Sequence, residues 1–181
     1  MAHISKALFA CLLLFPVAVR AQTAPFRLGH VAPSDAVNAI DIDVLLDGQG
    51  LPPGSGAADA GRAVYAARCS ACHGPTGTEG PNDILVGGHD SLKTARPLKT
   101  VGSFWPYATT LWDYINRAMP FAEPRSLSAD DVYAVTAYVL YLNGIVAEHQ
   151  VLSQSTLPDV MMPNRNGFVP DNRTNENLPR Q

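Results

Sequence analysis

The run Cys69-Ser70-Ala71-Cys72-His73 constrains this chain more than anything else in it. The chain has three cysteines, and Cys11 lies in an N-terminal apolar run that reads as a removable leader. No disulfide framework beyond the single remaining pair can therefore staple the fold. A structural zinc site would need a second ligand pair at matching spacing, and no other cysteine is left to supply one. A thioredoxin-like redox pair precedes a helix in a strand-rich fold, whereas this pair closes an alanine-rich helical stretch. The spacing that remains is Cys-x-x-Cys-His, the attachment signature of one covalent haem c. Each thiol adds to one vinyl group, and His73, one residue past the second thioether, is positioned to ligate the iron.

The N-terminus fits such a cofactor. Residues 1–21 read as a signal peptide, with Lys6, an apolar run from Ala7 to Val19 and the small-residue site Val19-Arg20-Ala21. The apolar run falls short of the roughly 20 residues that span a bilayer, and no later segment is longer, so no membrane span is expected in the mature chain. Export would deliver the chain to the periplasm, where c-type haem is attached. Of 13 Lys and Arg residues the leader removes Lys6 and Arg20, leaving an excess of acids over bases, because all 16 Asp and Glu residues remain. That balance gives nucleic acid no electrostatic purchase.

Patterning divides the rest. Residues 22–56 lack sustained periodicity and read as an irregular N-terminal arm; 57–149 read as the haem domain; 150–181 form a polar, proline-containing C-terminal arm, wrapped or frayed, with MMPNRNGF as its apolar cluster. Within the domain, the first helix runs from about Ala57 to the cysteine motif. Glycine and proline are dense between 74 and 106 and predict a long functional loop. Leu111 and Ile115, with Trp112 alongside, predict a helix over 107–118 that ends at Met119 before Pro120. Ser128-Ala-Asp-Asp starts the last helix, with Val132, Val135, Val139 and Leu142 at helical spacing and Gly144 as its stop. No strand alternation and no internal repeat occur. The fold class is all-α, with three to five helices around one haem.

Met119 is the expected sixth iron ligand, since a short link between two helices can aim its sulfur at the open haem face. Met161, Met162, His89 and His149 are the alternatives. His30 has no motif around it and is given no role. Pro81 is expected to accept the His73 imidazole proton through its carbonyl, fixing the ring. Trp105, Tyr107 and Trp112 supply aromatic bulk, with Trp112 a candidate for a place near a propionate or else simple core. Lys99, Arg96 and Arg117 could pair with propionates or be solvated.

Gly61 and Tyr65, CSACH, the Gly80-Pro81-Asn82 turn, Met119-Pro120 and Tyr138 occur in an order that resembles the class I cytochrome c family over roughly 57–145. The resemblance implies that the first and last helices cross closely, Gly61 allowing the approach and Tyr138 packing at the crossing. It also implies thioethers at Cys69 and Cys72, axial ligands His73 and Met119, and Pro81 as the carbonyl partner. A narrower similarity, in KTVGSFWPYATTLWDYINRAMPF, SLSADDVYAVTAYVLYLN, DIDVLLDGQGLPPGSG and LPDVMMPNRNGF, is to the cytochrome subunit of sulfur or sulfite dehydrogenases, including the haem domain of Sox systems. It implies a molybdenum-containing dehydrogenase as electron donor and a downstream cytochrome or oxidase as acceptor, in sulfur oxidation. Two other readings stand beside an electron carrier. One is a haem enzyme or gas sensor, which needs an open iron position that Met119 argues against. The other is a scaffold with an incidental haem, which the size of the haem-facing loop argues against.

Overall fold

The computed structural model describes residues 29–171; the expected leader at 1–21 lies outside them. Among the described residues there are five α-helices: α1 (Ser34–Ile40), α2 (Ala58–Arg68), α3 (Ser70–His73), α4 (Ala108–Ala118) and α5 (Ala129–Leu142). Two-residue strands, β1 (Ser55–Gly56) and β2 (Leu152–Ser153), pair antiparallel, Ser55 opposite Ser153 and Gly56 opposite Leu152. Among the described residues no helix is long and apolar enough to cross a membrane.

The last helix organises the rest. Its start is set by Ser128, whose hydroxyl oxygen accepts the Asp131 amide at 3.1 Å, with Asp130 and Asp131 in the first turn beside the positive end of the helix dipole. The sequence spacing marks one apolar stripe, but every residue from Val132 to Leu140 is buried. A helix enclosed on all sides is a core helix. The reason lies outside the helix: both arms close over the face that α2 and α4 leave open. Leu51, Leu152 and Leu157 join its core cluster, the Tyr133 hydroxyl donates to the Pro52 carbonyl at 2.9 Å, and the β1–β2 pair ties the two arms together.

Helix α2 crosses α5 at Gly61. A Cβ there would sit 2.9 Å from Tyr138 Cβ and closer still to the Ala134 carbonyl oxygen. Only glycine permits that approach. Tyr65, one turn on, meets Tyr138 with ring centroids 5.3 Å apart and tilted, and Arg62 lies over the Tyr138 ring at 5.3 Å. Helix α4 packs on α5 through Trp112, whose ring is 5.3 Å from that of Tyr133.

The arms are more regular than the sequence suggested. The stretch 34–40, read as irregular, is helical, and the tail wraps the domain: Leu157, Val160 and Met162 are buried. The inner part of the N-terminal arm is pinned to α4, with the Val44 amide donating to Asp113 Oδ1 at 3.2 Å and the Thr109 hydroxyl to the Leu46 carbonyl at 3.1 Å. Arg117 completes this anchor, bonding Asp43 and Asp113 together. Separation in sequence hid these contacts.

Candidate functional site

A cleft of about 890 Å³ opens between the cysteine motif, the glycine-rich loop, α4 and α5. Its volume falls in the range of sites that enclose a cofactor. Cys69, Cys72, His73 and Met119 all line it. Leu85, Val101, Leu111, Ile115, Val135 and Val139 are among its apolar lining, so the helical periodicity that marked 111 and 115, and 135 and 139, also marked residues that turn to the cleft.

The motif is presented by a break between two helices. Helix α2 ends at Arg68, Cys69 leaves helical geometry, and α3 carries Cys72 and His73 on one short turn. The loop then doubles back: Gly80 comes so close to the Cys72 carbonyl that a Cβ would collide with it, and the Asn82 amide donates to that same carbonyl at 3.0 Å. Cys69 is half-buried and Cys72 exposed, and they are not bonded to each other. Burial pushes the Cys69 thiol up to about 11, an apolar setting suited to a neutral sulfur.

His73 Nδ1 lies 2.9 Å from the Asp83 carbonyl oxygen. A carbonyl can only accept, so Nδ1 carries the proton and Nε2 keeps its lone pair for a metal. This corrects the expectation for Pro81: Pro81 lines the cleft, but the acceptor is the carbonyl of Asp83, because the chain turns back along α3 for two residues more before it reaches the imidazole. A backbone acceptor leaves no residue-type signal. Trp112 is also corrected. It is 1 % exposed, packs on Tyr133 and is absent from the cleft wall. Leu111, Tyr114 and Ile115 take the cleft side of α4, and Trp112, about a quarter-turn round the helix from them, packs on Tyr133 of α5 instead.

The other candidates separate cleanly. Met161 is exposed and Met162 is packed in the core, and neither reaches the cleft. His149 pairs with Asp59 at 3.3 Å on the surface, and His89 lines a different, smaller pocket. Of the three bases, Arg117 is held by its two aspartates and Arg96 is away from the wall, whereas Lys99 lines the cleft and lies 4.9 Å from the Phe104 ring centroid. Trp105 lines the cleft beside Tyr114; Tyr107 does not, and stacks under Arg165 instead.

Three residues carry more of the site than their types announce. Tyr65 lines the cleft, donates its hydroxyl to the Gly74 carbonyl at 3.0 Å and has its own ionisation pushed up to about 12, chiefly by burial. Arg68 binds Glu123 at 2.6 Å and Ser126 at 2.7 Å, tying the end of α2 to the loop after Met119. Asn143, buried at the end of α5, accepts from the Gly87 amide at 3.0 Å and donates to the Leu85 carbonyl at 3.2 Å, fixing the loop that forms the cleft wall. Its position before Gly144 reads as a helix stop; its long-range bonds have no local signal.

Two thiols, one imidazole with a free Nε2, one thioether and a mainly apolar wall fit a covalently held haem. Among the described residues no group of three or more His, Cys, Asp or Glu gathers to hold a bare metal ion.

The chain matches the family described as cytochrome C oxidase, cbb3-type, subunit III, over residues 56–139. Among solved structures it is similar to the sulfane dehydrogenase SoxCD from Paracoccus pantotrophus, at 45% identity over 85% of this chain and 76% of that chain, with a TM-score of 0.76. No curated protein matches.

Proposed function

Because this chain belongs to the class I c-type cytochromes and is an electron-transfer protein similar to the Sox type, we propose that it is a periplasmic carrier with a single haem c. It accepts electrons from a molybdenum-containing sulfite or sulfur dehydrogenase and hands them to a downstream cytochrome or oxidase. The observation that carries the reading is the convergence of Cys69, Cys72, His73 and Met119 on one apolar cleft.

A bound haem supplies a one-electron ferric/ferrous couple. The chain's residues do the rest. Cys69 and Cys72 would hold the macrocycle through thioethers, and His73 would offer Nε2 to its iron, with the Asp83 carbonyl fixing the ring through Nδ1 and raising its basicity. Met119 would offer its thioether as the second protein ligand, a donor that favours the reduced iron and a relatively high potential. The mainly aliphatic wall would limit water around the group, and ligands from both His73 and Met119 would keep rearrangement between oxidation states small. A catalytic or gas-sensing haem would need one of those two ligands absent.

The test is kinetic, since electron-transfer contacts are commonly small and weak. The cognate dehydrogenase, supplied with sulfite or its sulfur substrate, should reduce this haem faster than unrelated periplasmic oxidoreductases do. Equal rates would withdraw the partner.

A further inference from the structure

We propose that Arg68 is a positioning residue for Met119: its guanidinium clamps the loop after the methionine to the end of α2 and so keeps the thioether at the cleft. The proposal rests on the reading of Met119 as an iron ligand.

Met119 is held from one side by secondary structure and from the other by little else than this clamp. Its amide donates to the Ile115 carbonyl at 3.0 Å, at the end of α4. Beyond it the chain runs on to Ser128, the cap of α5, and every residue from Phe121 to Ser126 is exposed. The backbone bonds of this loop close on the loop itself: the Glu123 amide donates to the Pro120 carbonyl at 2.9 Å and the Ser126 amide to the Glu123 carbonyl at 3.3 Å. Segments with so few buried contacts are the first to open. Pro120, Phe121, Ala122 and Leu127 nevertheless line the cleft together with Met119, so an opening of the loop would draw the sulfur away with it.

Among the described residues, the hydrogen bonds that join this loop to the rest of the chain both come from Arg68. One terminal nitrogen of the guanidinium donates to Glu123 Oε2 at 2.6 Å and to the Ser126 hydroxyl oxygen at 2.7 Å, one hydrogen to each. The bond to the carboxylate is charge-assisted and correspondingly short.

The donor stands on a firm base. Arg68 is the last residue of α2, the helix that packs tightly on α5 at Gly61, and it directly precedes Cys69, whose side chain lines the same cleft. The clamp therefore joins the segment that would attach the haem to the loop that would ligate its iron. Its side chains are 36% and 63% exposed, so it adds little to the stability of the whole domain. The opening of one loop, however, feels all of it.

The experiment uses the haem-loaded full chain. Glu123→Ala/Ser126→Ala removes both acceptors at exposed positions and leaves Arg68 in place; Arg68→Ala removes the donor, and Arg68→Lys keeps a charged one. Carbon monoxide uptake by the ferrous protein reads the opening, because the gas binds only where the thioether has left. Uptake should quicken about fivefold in Arg68→Ala and in Glu123→Ala/Ser126→Ala, the factor that corresponds to about 1 kcal/mol for a partly exposed pair. All three substitutions together should do no more than either set, since each breaks the same contact, and Arg68→Lys should recover part of the loss. On heating, the near-infrared charge-transfer band of the ferric protein should vanish further ahead of the far-ultraviolet melting than it does in wild type. Unchanged uptake in Glu123→Ala/Ser126→Ala overturns the proposal and leaves the carrier reading standing. Band and melting transition falling together would make Arg68 a structural tie only, and additive effects would place its action elsewhere on the cleft it lines; either result overturns the positioning role. If wild type shows no such band and takes up carbon monoxide at once, Met119 is not the ligand and both readings fall.

Discussion

Removing the Asn143 side chain isolates the contribution of one polar group to the cleft. Asn143 is 6% exposed and makes three bonds: Oδ1 accepts from the Gly87 amide at 3.0 Å, and Nδ2 donates to the carbonyls of Leu85 and Val139 at 3.2 and 2.9 Å. The two carbonyls keep other donors, the Val101 amide for Leu85 and the Asn143 amide for Val139. The Gly87 amide is the group left without its acceptor. Losing two ordinary hydrogen bonds at about 1 kcal/mol each and stranding one part-buried donor at about 1 kcal/mol, the low end for an unmet group, gives a total of roughly 3 kcal/mol for Asn143→Ala. In a chain of this length each kcal/mol shifts the melting temperature by about 2–4 °C, so the midpoint should fall by about 6–12 °C. Asn143→Leu keeps the volume and removes the bonds, and should lose as much. Guanidinium unfolding of the haem-loaded protein, followed by far-ultraviolet circular dichroism, gives the free energies; hydrogen exchange at the Gly87 amide should quicken in both variants. An Asn143→Leu protein within about 0.5 kcal/mol of wild type would refute the reasoning, because packing rather than polar satisfaction would then hold the loop.

Met119→Ala should abolish the weak near-infrared charge-transfer band of the ferric protein, lower the potential and admit carbon monoxide to the ferrous iron while the covalent haem stays; axial ligation spans about 0.8 V across haem proteins, so electrochemistry resolves even a partial effect. Changes at Met161 or Met162 should do none of this. Cys69→Ala with Cys72→Ala should release the haem to acid-acetone extraction, and haem retained by the double variant would sink covalent attachment. Gly61→Ala gains about 1 kcal/mol of helix propensity but forces a methyl against the Ala134 carbonyl, part of a packed backbone that cannot yield; the net effect should be a lower melting temperature, larger again for Gly61→Val. The Thr76 hydroxyl bond, with the Thr78 and Thr76 amides, holds the Glu79 carboxyl below its usual range. Its contribution to stability is therefore complete above the ordinary carboxylate value and lost as pH falls through the depressed one, so Glu79→Gln should flatten the acid side of a stability–pH profile.

Local chemistry was legible in the chain and long-range geometry was not. The cysteine spacing fixed where a haem can attach; Ser128 with Asp131, and Pro120 after Met119, marked helix ends that depend only on neighbouring backbone groups; and the aliphatic spacing of α4 and α5 chose which residues face the cleft. These signals are local because capping, helix propensity and attachment each involve residues a few positions apart. The acceptor for His73 was out of reach, since every residue carries a carbonyl and only the path of the loop puts that of Asp83, rather than that of Pro81, against the ring. Trp112 was misplaced for a related reason: its size suits a cofactor wall as well as a core, and rotation of α4 against α5 decides between them. The burial of α5 on every side, the Asp113–Arg117–Asp43 anchor and the Asn143 bonds join segments separated by tens of residues, so they exist only once the arms have closed over the helices.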